Sequence, residues 1–157
     1  MQIRNCTTSD VDKIRQFVNS CKPLTLHTAY TYWVMFNYLS EGCFVMEEDE
    51  KAVGYASGVK SSTEEDVFFM WQIGIAEEFR GKGLSQVLIE KIVNVAKKQN
   101  CNILQLTIEP DNEASFSTFN NYAKKNNLIM ETAGEAKYND SLSGKTESET
   151  LYEIKLR

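Results

Sequence analysis

Apolar residues along this chain repeat with a helical period in some segments and with the alternation of a strand in others. Four segments have the helical period, and each is bounded by capping or breaking residues. Residues 7–10 can cap the first, which Pro23 ends, Gly42 closes the second, and Asp111 or Asn112 can cap the fourth. The predicted helices are residues 11–22, 28–39, 84–100 and 113–125.

Seven shorter segments have the composition of strands, with β-branched and aromatic residues between turn-forming residues. They are residues 2–5, 43–47, 52–59, 67–75, 103–108, 128–132 and 150–156. The polar residues 48–51 predict a hairpin, so the second, third and fourth strands should run antiparallel. The helix at 84–100 joins two apolar strands, which predicts a βαβ unit. Residues 133–148 are polar and contain glycine, and we expect a mobile loop there.

This order of elements predicts a single α/β (α+β) domain over residues 1–157. A chain of 157 residues with 42% hydrophobic residues is long enough to bury one core. The net charge of −5 argues against nucleic acid as a partner, and it favours a small cationic substrate.

The four cysteines, Cys6, Cys21, Cys43 and Cys101, lack the spacing of a zinc site or a disulfide framework. We therefore expect no metal, and thiols of a reducing compartment. No apolar run approaches the ~20 residues that a membrane helix needs, and no apolar signal region opens the chain. These observations predict a soluble cytoplasmic protein with no membrane partner.

The candidate chemistry begins at the turn Arg80-Gly-Lys-Gly-Leu-Ser85, between a predicted strand and a predicted helix. The first turn of a helix has free backbone N–H groups, and glycines without Cβ atoms let an anion approach them. Arg80 and Lys82 could add charge-assisted contacts. The spacing alone fits a phosphate or pyrophosphate site and a plain tight turn equally well.

Two other phosphate motifs fit the chain less well. A dinucleotide fingerprint needs a third glycine where Gln86 stands, and it needs an acidic residue that is missing about 20 positions later. Gly144-Lys-Thr146 looks like the end of a P-loop, but Asn139 stands where the earlier glycine belongs. We interpret that second segment as an ordinary loop.

The turn at Arg80–Ser85, followed by Pro110-Asp-Asn-Glu-Ala-Ser115 after the next strand, resembles the GCN5-related N-acetyltransferase (GNAT) superfamily. The resemblance covers the whole chain in element order. It implies the GNAT fold, a central mixed, mostly antiparallel twisted sheet of six or seven strands with about four helices. It also implies acetyl-CoA as co-substrate. The positions it implies for acetyl-CoA binding are Ile73, Gly74, Ile75, Arg80, Gly81, Lys82, Gly83, Leu84, Ser85, Asn112, Ser115 and Phe119.

Within that superfamily the chain resembles the L-2,4-diaminobutyrate acetyltransferases of ectoine synthesis. The matching segments are residues 24–32, 69–73, 110–115 and 149–154. The resemblance implies substrate contacts at Thr25, His27, Tyr30, Trp71 and Gln72. Ser85 replaces the Gly or Ala of the superfamily turn, and its main-chain donor is retained. Thr25 stands where the subfamily usually has Asp, and a tail histidine is absent, so another small amine or a protein amine stays open as the acceptor. His27 is the only histidine, and a lone histidine near an aromatic helix more often has a structural role.

No serine or cysteine lies in a nucleophile-elbow context, so we expect the amine to attack the thioester directly in a ternary complex. Glu149, Glu147 and Asp66 are candidates for the base, and Glu149 is our choice. Phe119 stands where many superfamily members have the tyrosine that protonates the thiolate, and Tyr122, three residues on, is the substitute candidate.

A catalytically idle domain that binds coenzyme A is the alternative hypothesis from another class of function. The aromatic second helix could support a homodimer.

Overall fold

The computed structural model describes residues 1–157 as seven strands and four helices, with three short 3-10 turns. The helices are α1 Val11–Ser20, α2 Ala29–Tyr38, α3 Leu84–Lys98 and α4 Glu113–Lys125. The strands are β1 Gln2–Asn5, β2 Cys43–Glu48, β3 Lys51–Lys60, β4 Val67–Ile75, β5 Ile103–Ile108, β6 Ile129–Asp140 and β7 Lys145–Lys155.

All strands belong to one sheet in the order β1-β2-β3-β4-β5-β7-β6. Neighbouring strands are antiparallel except β4 and β5, which are parallel and joined through α3. This confirms the predicted fold class, the four helices, the hairpin and the βαβ unit. None of the helices is both long enough and apolar enough to cross a membrane.

Two hydrophobic cores lie on opposite faces of the sheet. The larger packs α3 and α4 against the sheet, with Leu88, Ile92 and Leu104 fully buried. The smaller packs α1 and α2 over β2 and β3, around Tyr32 and Tyr55. The two cores hold the helices on either side of β4, which is therefore a rigid platform in the middle of the fold.

The prediction of a mobile loop at residues 133–148 is wrong. β6 and β7 pair along their whole length, from Ile129 opposite Lys155 to Asp140 opposite Lys145, and only the turn at residues 141–144 is unpaired. Residues 133–148 of this hairpin are almost all exposed, and most of their side chains are polar. The apolar alternation that reveals a half-buried strand is therefore missing.

β4 separates from β5 after a short stretch of pairing. Only Val67–Phe69 are paired with β5, opposite residues 103–105. On the other side, the register with β3 passes from Ser57 opposite Gln72 to Gly58 opposite Met70, so Trp71 is the extra residue of a β-bulge. Residues 70–75 thus form an open strand edge facing the gap between β4 and β5.

Candidate active site

The turn at residues 80–85, the cofactor turn, has the conformation that an anion site needs. Gly81 and Gly83 both have φ of +76°, the left-handed region that only glycine adopts without strain. A Cβ added at either glycine would meet nothing within 4 Å, so the space in front of the turn is open. No side chain caps α3 at Gly83, and the first N–H groups of the helix remain available. These features fit a diphosphate.

The two cations of the cofactor turn are placed differently from our expectation. The Nε of Arg80 donates to the carbonyl oxygen of Ile75 at 3.0 Å, and its Nη2 reaches the carbonyl oxygen of Lys22 at 3.5 Å. Lys82 lies over the ring of Phe79, 5.0 Å from its centroid. Lys82 and the backbone amides therefore remain available to an anion, while the Nε and Nη2 of Arg80 contact protein carbonyls.

The predicted strand positions Ile73, Gly74 and Ile75 lie on the open edge of β4. Ile73 and Gly74 are half-buried, and Ile75 is buried. A Cβ at Gly74 would lie 2.7 Å from Cδ1 of Leu24 and 2.8 Å from Sγ of Cys21, so these two side chains pack closely over Gly74. The edge can pair with an extended ligand through its backbone.

Across the gap, α4 places Asn112 at its N-cap. The Asn112 Oδ1 accepts from the backbone N of Ser115 at 3.0 Å, and its Nδ2 has no protein partner. Asn112 therefore combines the capping role with a free donor, as we expected. Phe119 is only 3% exposed within the α3/α4 core, so its prediction as a cofactor contact is not supported by its burial.

Residues 21–28 between α1 and α2, the acceptor loop, lie over the end of β4. The Gln72 Nε2 donates to the Thr25 carbonyl at 2.8 Å, and the Gln72 Oε1 accepts from the Tyr32 hydroxyl at 3.2 Å. Both ends of the buried Gln72 amide are thus used within the protein. Gln72 thus holds the acceptor loop on β4, and its contact with the substrate stays a prediction.

His27 and Trp71 form the aromatic wall beside this loop. Their ring centroids lie 4.9 Å apart, and the indole is 40% exposed. Burial lowers the pKa of His27 below its usual value, so the imidazole is neutral at pH 7. The Arg15 Nε holds the His27 carbonyl at 3.1 Å. The structure therefore brings His27, Trp71 and the backbone of Thr25 together.

Tyr30 lies apart from this group. It is two residues from Tyr32 on α2, a rotation of about 200° around the helix, so it faces away from Gln72. Tyr30 is 73% exposed and its ring stacks on Trp33 at 6.1 Å. The structure does not support its predicted contact with the substrate.

Glu149 lies on the same face of the sheet as the acceptor loop. Ile108 points into the α3/α4 core and pairs with Thr150, so the neighbouring Glu149 points to the opposite face. Burial raises the pKa of Glu149, the carboxylate of Glu109 raises it further, and the Thr107 hydroxyl acts in the opposite direction. A carboxylate with a raised pKa suits proton transfer. Glu109 and Thr107 were missed because only the β5–β7 register brings them to Glu149.

Two other candidates for proton transfer have structural partners. The Tyr122 hydroxyl donates to Glu90 between α4 and α3, and burial together with this carboxylate raises its pKa strongly. Tyr122 is 3% exposed and its hydroxyl has a structural partner, and its assignment as the acid stays a prediction. The Oδ1 of Asp66 accepts from the backbone and side chain of Asn102 at the start of β5, at the far end of β4 from the cofactor turn.

The arrangement thus has three parts along one strand edge. The cofactor turn offers amides for a diphosphate, the edge of β4 offers backbone groups for an extended arm, and the acceptor loop with Glu149 offers a site for an amine. All four cysteines are free and buried. Of these, Cys21 lies next to the groups described above, and its Sγ donates to the Ile75 carbonyl at 3.6 Å. The geometry suits group transfer from a nucleotide-linked carrier to a small acceptor.

Comparison with known proteins agrees with this interpretation. Residues 11–121 match the model of the acetyltransferase (GNAT) family. The L-2,4-diaminobutyric acid acetyltransferase of Halomonas elongata is 31% identical over 97% of this chain and 79% of its own length. The protein of that name from Chromohalobacter salexigens is 33% identical over 78% of this chain and 65% of its own length.

One solved structure resembles the chain over nearly all of its length. It is the diaminobutyrate acetyltransferase of Paenibacillus lautus, in complex with L-2,4-diaminobutyric acid and coenzyme A. The TM-score is 0.86, with 98% of this chain and 93% of that chain covered, at 23% sequence identity. This likeness shows the fold.

Proposed function

Because this chain belongs to the acetyltransferase (GNAT) family, whose members are acetyl-CoA-dependent N-acetyltransferases, we propose that it acetylates a primary amine of L-2,4-diaminobutyrate. The observation that carries this proposal is the open edge of β4, which has the uncapped α3 N-terminus at one end and the acceptor loop above it. The relatives named for diaminobutyrate supply the choice of amine.

The residues of the cofactor turn and of β4 fit acetyl-CoA. The cofactor turn would hold its diphosphate through backbone amides, with Lys82 as the free cation, and the Asn112 Nδ2 would donate to its arm. Acetyl-CoA supplies an activated acetyl thioester. The edge of β4 orients that group, and a backbone N–H on this edge would stabilise charge on the thioester oxygen.

The protein must also supply a neutral amine. A primary amine with a pKa near 10.4 is mostly protonated at pH 7, so a base has to accept its proton. Glu149 accepts this proton, directly or through a water, because its raised pKa makes its carboxylate a stronger base than an ordinary one. The neutral nitrogen then attacks the carbonyl carbon of the thioester, the C–S bond breaks, and the second proton that the nitrogen loses goes to the leaving thiolate, directly or through a water, with no covalent intermediate on the protein.

The substrate's charge fits the acceptor side. Glu149, Glu109 and the neutral His27 present no cation toward a substrate ammonium, and the net charge of the chain is −5. Thr25 lacks the carboxylate expected there, and its carbonyl is already bound by Gln72. Glu109, directly after β5, is therefore the carboxylate that would attract the second amine of the substrate.

The proposal also includes a cellular compartment and an oligomeric state. Four free, buried cysteines suit the reducing cytoplasm. The outward face of α2 exposes Tyr30, Trp33 and Tyr38, an aromatic surface that suits a homodimer. Light scattering of the wild type and Trp33→Glu tests the dimer: the mass should halve in the variant, and an unchanged mass argues against this surface.

A free-thiol assay with acetyl-CoA tests the activity. We expect kcat/KM for L-2,4-diaminobutyrate to exceed that for ornithine, lysine and putrescine, with Gly83→Glu inactive because its side chain enters the space in front of the turn. A higher kcat/KM for another amine would reject the substrate. Coenzyme A binding without turnover of any amine would favour an idle domain.

A further inference from the structure

We propose that Arg80 is a positioning residue that joins the cofactor turn to the acceptor loop, so that binding of coenzyme A and binding of the amine are coupled. This role rests on the function proposed above, since it concerns the same site. It differs from a phosphate contact, which is what an arginine beginning a glycine-rich turn suggests. The distinction lies in which atoms the guanidinium contacts.

The hydrogen bonds of Arg80 all lead away from the open space before the turn. Its Nε donates to the last carbonyl of β4, that of Ile75, at 3.0 Å. Its Nη2 reaches the Lys22 carbonyl at 3.5 Å and lies 3.9 Å from Sγ of Cys21. One planar group thus spans the end of β4 and the beginning of the acceptor loop.

The acceptor loop is packed on β4 at the same point. The Cys21 Sγ donates to the Ile75 carbonyl, which therefore accepts from both Cys21 and Arg80. One residue earlier, Gly74 leaves no room for a Cβ beneath Leu24 and Cys21. A shift of Arg80 would consequently move the start of the loop, because no gap exists to absorb the movement.

From this point the loop runs directly to the acceptor site. The Leu24 N–H donates to the Cys21 carbonyl at 3.0 Å, and the next carbonyl, that of Thr25, is held by Gln72. His27 follows, with its ring on Trp71. The chain of contacts from Arg80 to His27 covers the acceptor side without a break.

The coupling follows from the backbone position of Arg80. A diphosphate bound to the amides of residues 81–85 orders the turn that carries the Arg80 backbone, and this fixes the guanidinium on Ile75 and Lys22. Once coenzyme A has ordered the turn and the acceptor loop, the amine does not bear the entropy cost of ordering them. The amine therefore binds more tightly to the complex with coenzyme A. Coupling energies of this kind typically change affinity by about 5- to 150-fold.

Three variants test the role. Arg80→Gln removes the planar guanidinium and its charge. Arg80→Lys keeps the charge, but a single ammonium does not reproduce the two contacts of the planar guanidinium. Lys82→Gln removes the neighbouring cation, which has no contact with the acceptor loop. Arg80 is exposed, so its variants should fold. The measurements are KM for each substrate, kcat, and hydrogen exchange of the Leu24 amide with and without coenzyme A.

We expect Arg80→Gln and Arg80→Lys to raise KM for the amine at saturating acetyl-CoA and KM for acetyl-CoA at saturating amine by the same ~10-fold, because coupling is reciprocal, while coenzyme A binding in the absence of the amine changes by less than ~3-fold. Lys82→Gln should weaken coenzyme A binding equally with and without the amine. Coenzyme A should slow exchange at Leu24 in the wild type and lose this effect in Arg80→Gln. If Arg80→Gln instead weakens acetyl-CoA binding alone, or Arg80→Lys restores wild-type kinetics, Arg80 is a phosphate contact and the role is overturned.

The exchange measurement separates this role from the proposed function. It uses coenzyme A and no amine, so it remains decisive if diaminobutyrate is not a substrate. In that case slower Leu24 exchange in the wild type alone supports the link, and an equal response in wild type and Arg80→Gln rejects it.

Discussion

The imidazole of His27 packs on the indole of Trp71, with ring centroids 4.9 Å apart and planes tilted by 44°. Trp71 is the bulged residue of β4, and His27 belongs to the loop between α1 and α2. The bulge turns an aromatic side chain toward the acceptor loop at the place where β4 leaves β5. Loop and strand edge therefore meet as one wall of the acceptor site.

The cofactor turn should be sensitive to a single methyl group. Gly83→Ala places a Cβ in front of the α3 amides and forces alanine to φ of +76°. We expect the coenzyme A dissociation constant, measured by calorimetry, to rise ~10-fold or more, with a stability loss of about 1 kcal/mol.

Gly144→Ala is the matched control for that change. Gly144 has φ of +72° and equally open surroundings, but it lies at the tip of the β6–β7 hairpin. It should show the same strain with unchanged coenzyme A affinity. Equal losses of affinity in the two variants would contradict a role for Gly83 in the site.

The ionisation of Glu149 should determine the acidic limb of the pH profile of kcat/KM for the amine. As pH rises through its raised pKa, the carboxylate loses its proton and can act as base, so kcat/KM for the amine should rise. Glu149→Gln should lower kcat/KM by about 10²- to 10⁴-fold and remove this limb. Glu131→Gln, which loses only its pairing with Lys155, is the control. A retained limb in Glu149→Gln would assign the base elsewhere.

Tyr122→Phe distinguishes a structural from a catalytic hydroxyl. Because the hydroxyl donates to Glu90 in the α3/α4 interface, its loss should cost about 1 kcal/mol in the free energy of unfolding. The value of kcat should stay within ~3-fold, since group-specific proton transfer typically contributes at least ~10². A drop in kcat of that larger size would restore Tyr122 as the acid.

The ionisation of Asp10 should make the free energy of unfolding depend on pH. Its hydrogen bonds from Arg4 and from the Thr7 backbone lower its pKa from 3.8 to about 2, against the opposing effect of burial. The stabilisation is complete above the unfolded value and is lost as pH falls through about 2. Asp10→Asn should thus cost about 2 kcal/mol at pH 7 and little near pH 2.

Urea denaturation at several pH values measures this effect. Asp49→Asn, at an exposed position in the β2–β3 turn, is the control and should be neutral throughout. A cost for Asp10→Asn that does not change with pH would mean that shape, and not charge, accounts for the effect.

Most elements were predictable because their apolar faces are buried. β4 and β5 agree with the predicted bounds residue for residue, and both lie in the larger core. The outer part of the β6–β7 hairpin was not predictable, because it is held by backbone pairing and carries polar residues on both faces. Its only local signal was glycine at the turn, which also fits a loop.

The cofactor turn was predictable from glycine spacing, but the roles of its neighbours were not. Arg80 and Cys21 are 59 residues apart in the chain, so no local pattern reveals that they touch. The same holds for Tyr122 with Glu90 and for Gln72 with Thr25. Side-chain partners that only the folded chain brings together decide these roles.

We propose that the protein moves acetyl groups from acetyl-CoA to diaminobutyrate without carrying them itself. Incubation with acetyl-CoA, followed by mass spectrometry of the protein and NMR of the amine, tests both halves. We predict an unchanged protein mass with acetyl-CoA alone, and one acetyl group per consumed diaminobutyrate when both are present. An acetylated protein, or coenzyme A binding with unmodified diaminobutyrate, would contradict the account.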